Sequence, residues 1–104
     1  MNTKSIQIYL GKPQTEKLVV CDVPQGQQIT VKQLMFNNSL ETEQKVTLTL
    51  NTVDIMTTKI KNGDDVRETF IVLNPGDKLL IKQETENAVS VMINGTSEAV
   101  PSGF

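Results

Sequence analysis

Hydrophobic and polar residues alternate with a period of two along most of the chain. The run 45–50 shows this most clearly, because Val46, Leu48 and Leu50 share one face and the residues between them are polar. Such alternation is typical of a half-buried β-strand. No stretch of ten or more residues holds the i, i+3, i+4, i+7 stripe of an amphipathic helix, so we predict almost no helix.

Turn residues separate short β-like segments at intervals of roughly ten residues. The predicted strands are 5–10, 17–23, 28–37, 45–50, 54–60, 66–73, 78–83 and 88–94. The connection 74–77 predicts a type II turn, because Pro75 pre-sets φ at its second position and Gly76 can take the positive φ needed next. Asn94-Gly95 is predicted to close the last strand. Together these segments predict an all-β, antiparallel β-sandwich of about eight strands, jelly-roll-like or immunoglobulin-like, with a small closed barrel as the alternative.

The chain of 104 residues fits one domain. We predict a single β-sandwich domain over residues 1–96 and a flexible C-terminal tail over residues 97–104, where Pro101 and Gly103 interrupt a weak pattern. The predicted core consists of large hydrophobic residues in the strands: Ile29, Val31, Leu34, Phe36, Val46, Leu48, Leu50, Phe70, Val72, Leu79, Ile81, Val89, Val91 and Ile93.

The third predicted strand contains a break in its alternation. Ile29 and Val31 are in phase, whereas Leu34 and Phe36 have the opposite phase. An extra residue near 32–33 would place all four side chains on the core face, which predicts a β-bulge. The alternative is a strand buried on both faces.

Composition narrows the possible partners. The formal net charge is -2, and the charged residues form no block of either sign, which argues against binding to nucleic acid or to an anionic membrane. No segment approaches the ~20 apolar residues of a membrane span. The N-terminus has no hydrophobic core of signal-peptide length, so we expect synthesis in the cytoplasm without an export signal.

Few residues offer catalytic or metal-binding chemistry. The chain has no histidine and one cysteine, Cys21, which leaves no zinc site and no base for a hydrolase triad. We interpret Cys21 as a small buried hydrophobic residue. The acids Asp54, Asp64 and Asp65, and the turn oxygens of Asn62 and Asp77, are interpreted as turn formers, not as a catalytic pair or calcium site. We predict a protein that is not an enzyme, with no catalytic residue, metal or cofactor.

Two kinds of binding surface remain. Tyr9 and Phe104 are the candidate aromatic platforms for a sugar, because Phe36 and Phe70 are assigned to the core. A threonine-rich strand face suits wide polar contacts in an oligomer, with a plain solvated face as the alternative. That face comprises Thr47, Thr49, Thr57 and Thr58. No specific ligand-binding residue is assigned from these patterns.

Several strand and turn motifs resemble those of small bacteriophage tail and virion proteins. The segments 18–26 and 29–38 are similar to a "VPAG" strand end followed by a "V-K-x-I" strand and an "N-x-S" turn. The segment 72–79 resembles their "LNPGD-x-I" turn, and 89–95 resembles a closing "V-x-V-x-I-x-G" strand. Gln25 stands where the family has alanine, and the residues before Glu16 have no counterpart in the pattern.

The resemblance implies a non-enzymatic component of a tail, fibre, receptor-binding assembly or capsid decoration. It also implies a homo-oligomer, with a trimer favoured, or contacts with other virion proteins. The expected location is the virion, assembled in the host cytoplasm. The alternative function is a carbohydrate-binding β-sandwich module that recognises a glycan on the host surface.

Overall fold

Eight strands and their connections make up residues 3–101, the part of the chain that the computed structural model describes. The strands are β1 (Thr3–Gly11), β2 (Leu18–Asp22), β3 (Gln27–Asn38), β4 (Gln44–Leu50), β5 (Val53–Ile60), β6 (Gly63–Leu73), β7 (Lys78–Gln83) and β8 (Val89–Ala99). Across residues 3–101 no helix is long and apolar enough to cross a membrane.

The strands form two antiparallel sheets of four. The first sheet has the order β1-β8-β3-β6, and the second has the order β2-β7-β4-β5. Within them β1 pairs with β8, β2 with β7, β3 with β6 and β4 with β5, so the chain is one long nested hairpin rolled into a sandwich. This is the jelly-roll arrangement. The predicted antiparallel β-sandwich of about eight strands is confirmed, and the strand order selects the jelly roll over the immunoglobulin-like alternative.

The core lies between the inner faces of the two sheets and consists mainly of Val, Ile and Leu. All but three of the predicted core residues are buried, and Leu50 is partly buried against the cluster. The assignments of Phe70 and Val72 were wrong, because both side chains are exposed. The reason is pairing: Leu73 and Ile71 are the register partners of Ile29 and Val31, so Val72 between them must point outward.

The predicted bulge in the third strand is confirmed. The register of β3 shifts between Val31 and Gln33 against both of its neighbours, β6 and β8. Against β8, Lys32 is the extra residue, because Val31 and Gln33 pair with the consecutive residues Gly95 and Asn94. Against β6, residues 69 and 70 both lie opposite Lys32. Beyond the bulge Leu34 and Phe36 return to the core side, where both are buried.

The last strand does not close at Asn94-Gly95, contrary to the prediction. Gly95 lies within β8 opposite Val31, and β8 continues through Ala99, with Ser97 paired to Ile29. A β-carbon on Gly95 would lie 2.0 Å from the Thr30 carbonyl oxygen, so this glycine permits close approach of two backbones. Residues 97–99 of the predicted tail 97–104 therefore belong to β8. Residues 102–104 lie outside the described part.

Local turn chemistry and buried amides fix the connections. The predicted turn at 74–77 is confirmed, since Asp77 N–H donates to the Asn74 carbonyl at 2.9 Å and Gly76 has φ of 86°. Gln83, which is buried, donates to the Pro13 carbonyl at 2.6 Å and accepts from Val89 N–H at 2.9 Å. These bonds tie the β1–β2 connection and the start of β8 to the end of β7.

Candidate interaction surface

The outer face of the first sheet carries side chains in rows that cross all four strands, because register partners on neighbouring strands lie side by side. One row is hydrophobic throughout. Leu10 pairs with Met92, Met92 with Met35, and Met35 with Val66. We call these four residues the apolar row.

The apolar row is open to solvent. Leu10 is 61% exposed, Val66 52% and Met35 38%. A shallow groove of about 290 Å³ runs along the row and is also lined by Asn37 and Ser90. Because large exposed hydrophobic patches are typical of interaction sites, the apolar row is a candidate interaction surface.

The adjacent row on the same face is polar. Gln7 pairs with Asn94, Asn94 with Gln33, and Gln33 with Glu68. Asn94 Nδ2 donates to Gln33 Oε1 at 3.1 Å, and Gln33 Nε2 donates to Glu68 Oε2 at 3.1 Å. We call these four residues the amide row. They line a second open groove of about 490 Å³, together with Lys32.

An exposed aromatic ring lies beside the amide row. Phe70 is 69% exposed, and Lys32 Nζ is 5.1 Å from the centroid of its ring, within the range of a cation–π contact. The sequence analysis assigned Phe70 to the core and so missed it as an exposed aromatic ring. One signal for its exposure was available: residues 70–73 are all hydrophobic. When such a run lies in an edge strand, every second side chain is exposed.

The predicted threonine face does not form. Of its four residues only Thr57 is exposed, whereas Thr47, Thr49 and Thr58 are buried. Thr58 is the register partner of Val46 and so faces the core.

Asp54 accepts hydrogen bonds from Thr49 at 2.7 Å and from Lys17 Nζ at 2.9 Å. These two bonds hold the pKa of the Asp54 carboxyl below its ordinary value. The carboxylate thus links the β5 edge of the second sheet to the β1–β2 connection.

The remaining acidic candidates occupy separate places. Asp54 lies near the start of β5, whereas Asp64 and Asp65 lie near the start of β6. Asp65 forms an ion pair with Arg67 at 3.0 Å, and Asp77 accepts from Asn51 at 3.1 Å. Among residues 3–101 no three His, Cys, Asp or Glu side chains come together as metal ligands.

Two other residues singled out in the sequence analysis, Cys21 and Tyr9, pack against the core. Cys21 is a half-buried free thiol packed against the core; burial, and secondarily Asp22, raise the pKa of its thiol. Tyr9 also packs against the core, and burial raises its pKa, so its ring is not an open platform. Phe104 lies outside the described residues.

Comparisons with known proteins concern the fold. No protein-family model matches the sequence, and no curated protein matches it. A chain in the structure of infectious bursal disease virus, Gx strain, superposes on 99% of this chain with a TM-score of 0.53 at 9% identity. A chain in the structure of the Gt strain covers 92% of it with a TM-score of 0.40 at 12% identity. This chain spans about a third of the length of each, 34% and 32% respectively.

The fold and the surface together define a class. The chain is a jelly-roll protein whose first sheet presents a hydrophobic row and a neighbouring amide row to solvent. The similarity to the Gx-strain chain concerns that fold alone.

Proposed function

We propose that this protein is a viral structural protein, specifically a non-enzymatic component of a bacteriophage virion that acts through contacts between subunits. The apolar row is the observation that carries the proposal. The jelly-roll fold, which occurs in viral capsid domains, supports the viral context, and the strand and turn motifs at 18–38 and 72–79 support a tail, fibre, receptor-binding or capsid-decoration role.

The apolar row is suited to a subunit contact because it is rigid and uncharged. Its four residues stand on paired strands of one sheet. Beside it Asn37 and Ser90 are uncharged, and Asp64, the one charged residue that lines the groove, accepts a hydrogen bond from Asn37 Nδ2. Fully burying a large hydrophobic side chain contributes roughly 1.5–3 kcal/mol. Because Leu10, Met35 and Val66 are each exposed by a third or more, their burial contributes a substantial part of that range.

The proposed occupant of the apolar row is a second copy of this chain, in a trimer closed by threefold rotation. Such a ring needs two different surfaces on each subunit. A second exposed hydrophobic surface lies at the start of β5, at the edge of the other sheet, where Val53 and Ile55 are both exposed. The apolar row of one copy then contacts the β5 edge of the next.

The test is the solution mass by light scattering over a range of concentrations. We expect a trimer, and we expect Met35→Glu to give monomers because it places a charge in the middle of the row. Leu40→Glu is the matched control, since Leu40 has nearly the same exposure, 37% against 38% for Met35, but lies in a loop. A wild-type protein that stays monomeric at every concentration refutes the subunit contact, as does equal dissociation by both variants.

The alternative function is recognition of a host-surface glycan. The residue that favours it is Phe70, not the aromatic residues Tyr9 and Phe104 considered in the sequence analysis. Tyr9 packs against the core, but Phe70 is an exposed ring beside a polar groove.

A further inference from the structure

We propose that the amide row, together with Lys32 and Phe70, forms a binding site for a neutral saccharide on the outer face of the first sheet. The site is separate from the apolar row in composition and does not depend on the trimer.

The amide row offers the hydrogen-bonding groups that sugar hydroxyls require. A hydroxyl both donates and accepts, and a side-chain amide carries two N–H donors and an oxygen with two lone pairs. Gln7, Asn94 and Gln33 provide three such groups in register, and Glu68 adds a carboxylate acceptor. The bonds from Asn94 to Gln33 and from Gln33 to Glu68 orient the row. Asn94 Nδ2 also donates to Met35 Sδ at 3.9 Å, so the groups that remain for a ligand are the Asn94 oxygen, the second N–H of Gln33, the Gln7 amide and the Glu68 carboxylate.

Phe70 supplies a hydrophobic face next to these polar groups. A pyranose ring presents C–H groups on its faces and hydroxyls on its rim, so it stacks on an aromatic ring and hydrogen-bonds at its edge. Phe70 is exposed because burial alternates without a break along β6: Ile71 and Leu73 face the core, so Phe70, like Glu68, faces outward. Phe70 does not itself line the groove, but Lys32, which does, lies over the Phe70 ring, so the ring adjoins the groove through Lys32.

Size and charge favour a neutral sugar over other ligands. The groove of about 490 Å³ falls within the range of small-molecule sites, roughly 300–1,000 Å³. Its one cation, Lys32, and one anion, Glu68, balance each other among the lining side chains. An acidic polymer would need a surplus of basic groups, and a protein partner would be expected to use the adjoining apolar row.

The first test is a glycan array carrying neutral and sialylated oligosaccharides, followed by calorimetric titration with the neutral glycans that bind. We expect Phe70→Ala and Glu68→Ala each to weaken binding at least tenfold. Val72→Ala is the matched control, because Val72 is also exposed on β6, and it should bind like the wild type. In NMR spectra of the wild type, the side-chain NH₂ signals of Asn94 and Gln33 should shift on addition of the same glycan.

Three results overturn the proposal: no neutral glycan binds, binding is restricted to sialylated glycans, or Phe70→Ala binds as well as the wild type. Light scattering distinguishes failure of the saccharide site from failure of the subunit contact. Phe70→Ala should leave the solution mass unchanged, and a change in mass would assign Phe70 to a protein contact and refute the saccharide site.

Discussion

Substitution of Gly95 by alanine tests a close approach of two backbones in the first sheet. Gly95 lies in the middle of β8, paired with Ile6 of β1 on one side and Val31 of β3 on the other. An added β-carbon would lie 2.0 Å from the Thr30 carbonyl oxygen and 3.0 Å from Ile8 Cδ1. We expect Gly95→Ala to be among the most destabilising single substitutions in this protein.

The size of the effect follows from what must move. Carbon–oxygen contacts between strands are ordinarily about 3.3–3.6 Å, so the backbone at Thr30 must shift by more than about 1 Å. Overpacking usually costs about 1–3 kcal/mol when side chains can adjust. Because the obstacle here is backbone beside the bulge at Lys32, we expect about 3 kcal/mol or more. In a domain of this size that loss lowers Tm by roughly 12–24 °C.

Urea and thermal unfolding followed by circular dichroism measure this loss. Gly11→Ala is the control, because Gly11 also lies in a strand of the first sheet but its β-carbon would meet the end of a side chain, Tyr9 Oη at 2.7 Å. Because the obstacle is a side chain and not backbone, the Tyr9 ring can adjust, so we expect a loss of about 1–3 kcal/mol that is smaller than the loss for Gly95→Ala. If Gly95→Ala unfolds within 0.5 kcal/mol of the wild type (roughly the effect of an ordinary surface substitution), the proposed close approach at the bulge is refuted.

Three further substitutions or treatments test local interactions. Gln83→Ala leaves buried backbone groups without partners, so chemical denaturation should show a loss of roughly 2–4 kcal/mol; a loss below about 1 kcal/mol would mean that this amide is not an anchor. Hydrogen bonds from Thr49 and Lys17 lower the pKa of Asp54, so its contribution is present above the unfolded pKa of about 3.9 and is lost as the pH falls through the lower folded value. The Tm difference between wild type and Asp54→Asn should therefore be largest above about pH 5 and shrink on acidification, and a difference independent of pH would contradict this. Burial raises the pKa of the Cys21 thiol, so a thiol reagent at neutral pH should label it more slowly in the folded protein than in urea, and equal rates would show that the thiol is accessible.

Local features of the fold were predictable because their causes lie within a few residues. The alternation in 45–50 placed β4, and the Pro75-Gly76 pair fixed the turn after β6. The phase break between Val31 and Leu34 located the bulge, since only an extra residue can return both side chains to one face, and the pairing of β3 with β8 shows that residue. Each of these predictions depended on backbone geometry that a short segment specifies by itself.

Phe70 and Gly95 show where the same reasoning fails. A period of two defines two faces but does not say which one meets the core, and the run 70–73 is hydrophobic on both. Pairing with Ile29 and Val31 turned Leu73 and Ile71 inward and left Phe70 exposed. An Asn-Gly pair is a turn signal locally, but β3 and β1 pair with Gly95 from both sides and keep it in a strand.

The sequence by itself determined the class of the protein: a small all-β domain with regularly spaced strands, whose core is built from aliphatic residues. Only the tertiary structure decided its surface. The apolar row joins residues 10, 35, 66 and 92, and the amide row joins residues 7, 33, 68 and 94. Residues so far apart in the chain become neighbours through the nested pairing of strands, because cross-strand register, not sequence spacing, sets which side chains lie side by side.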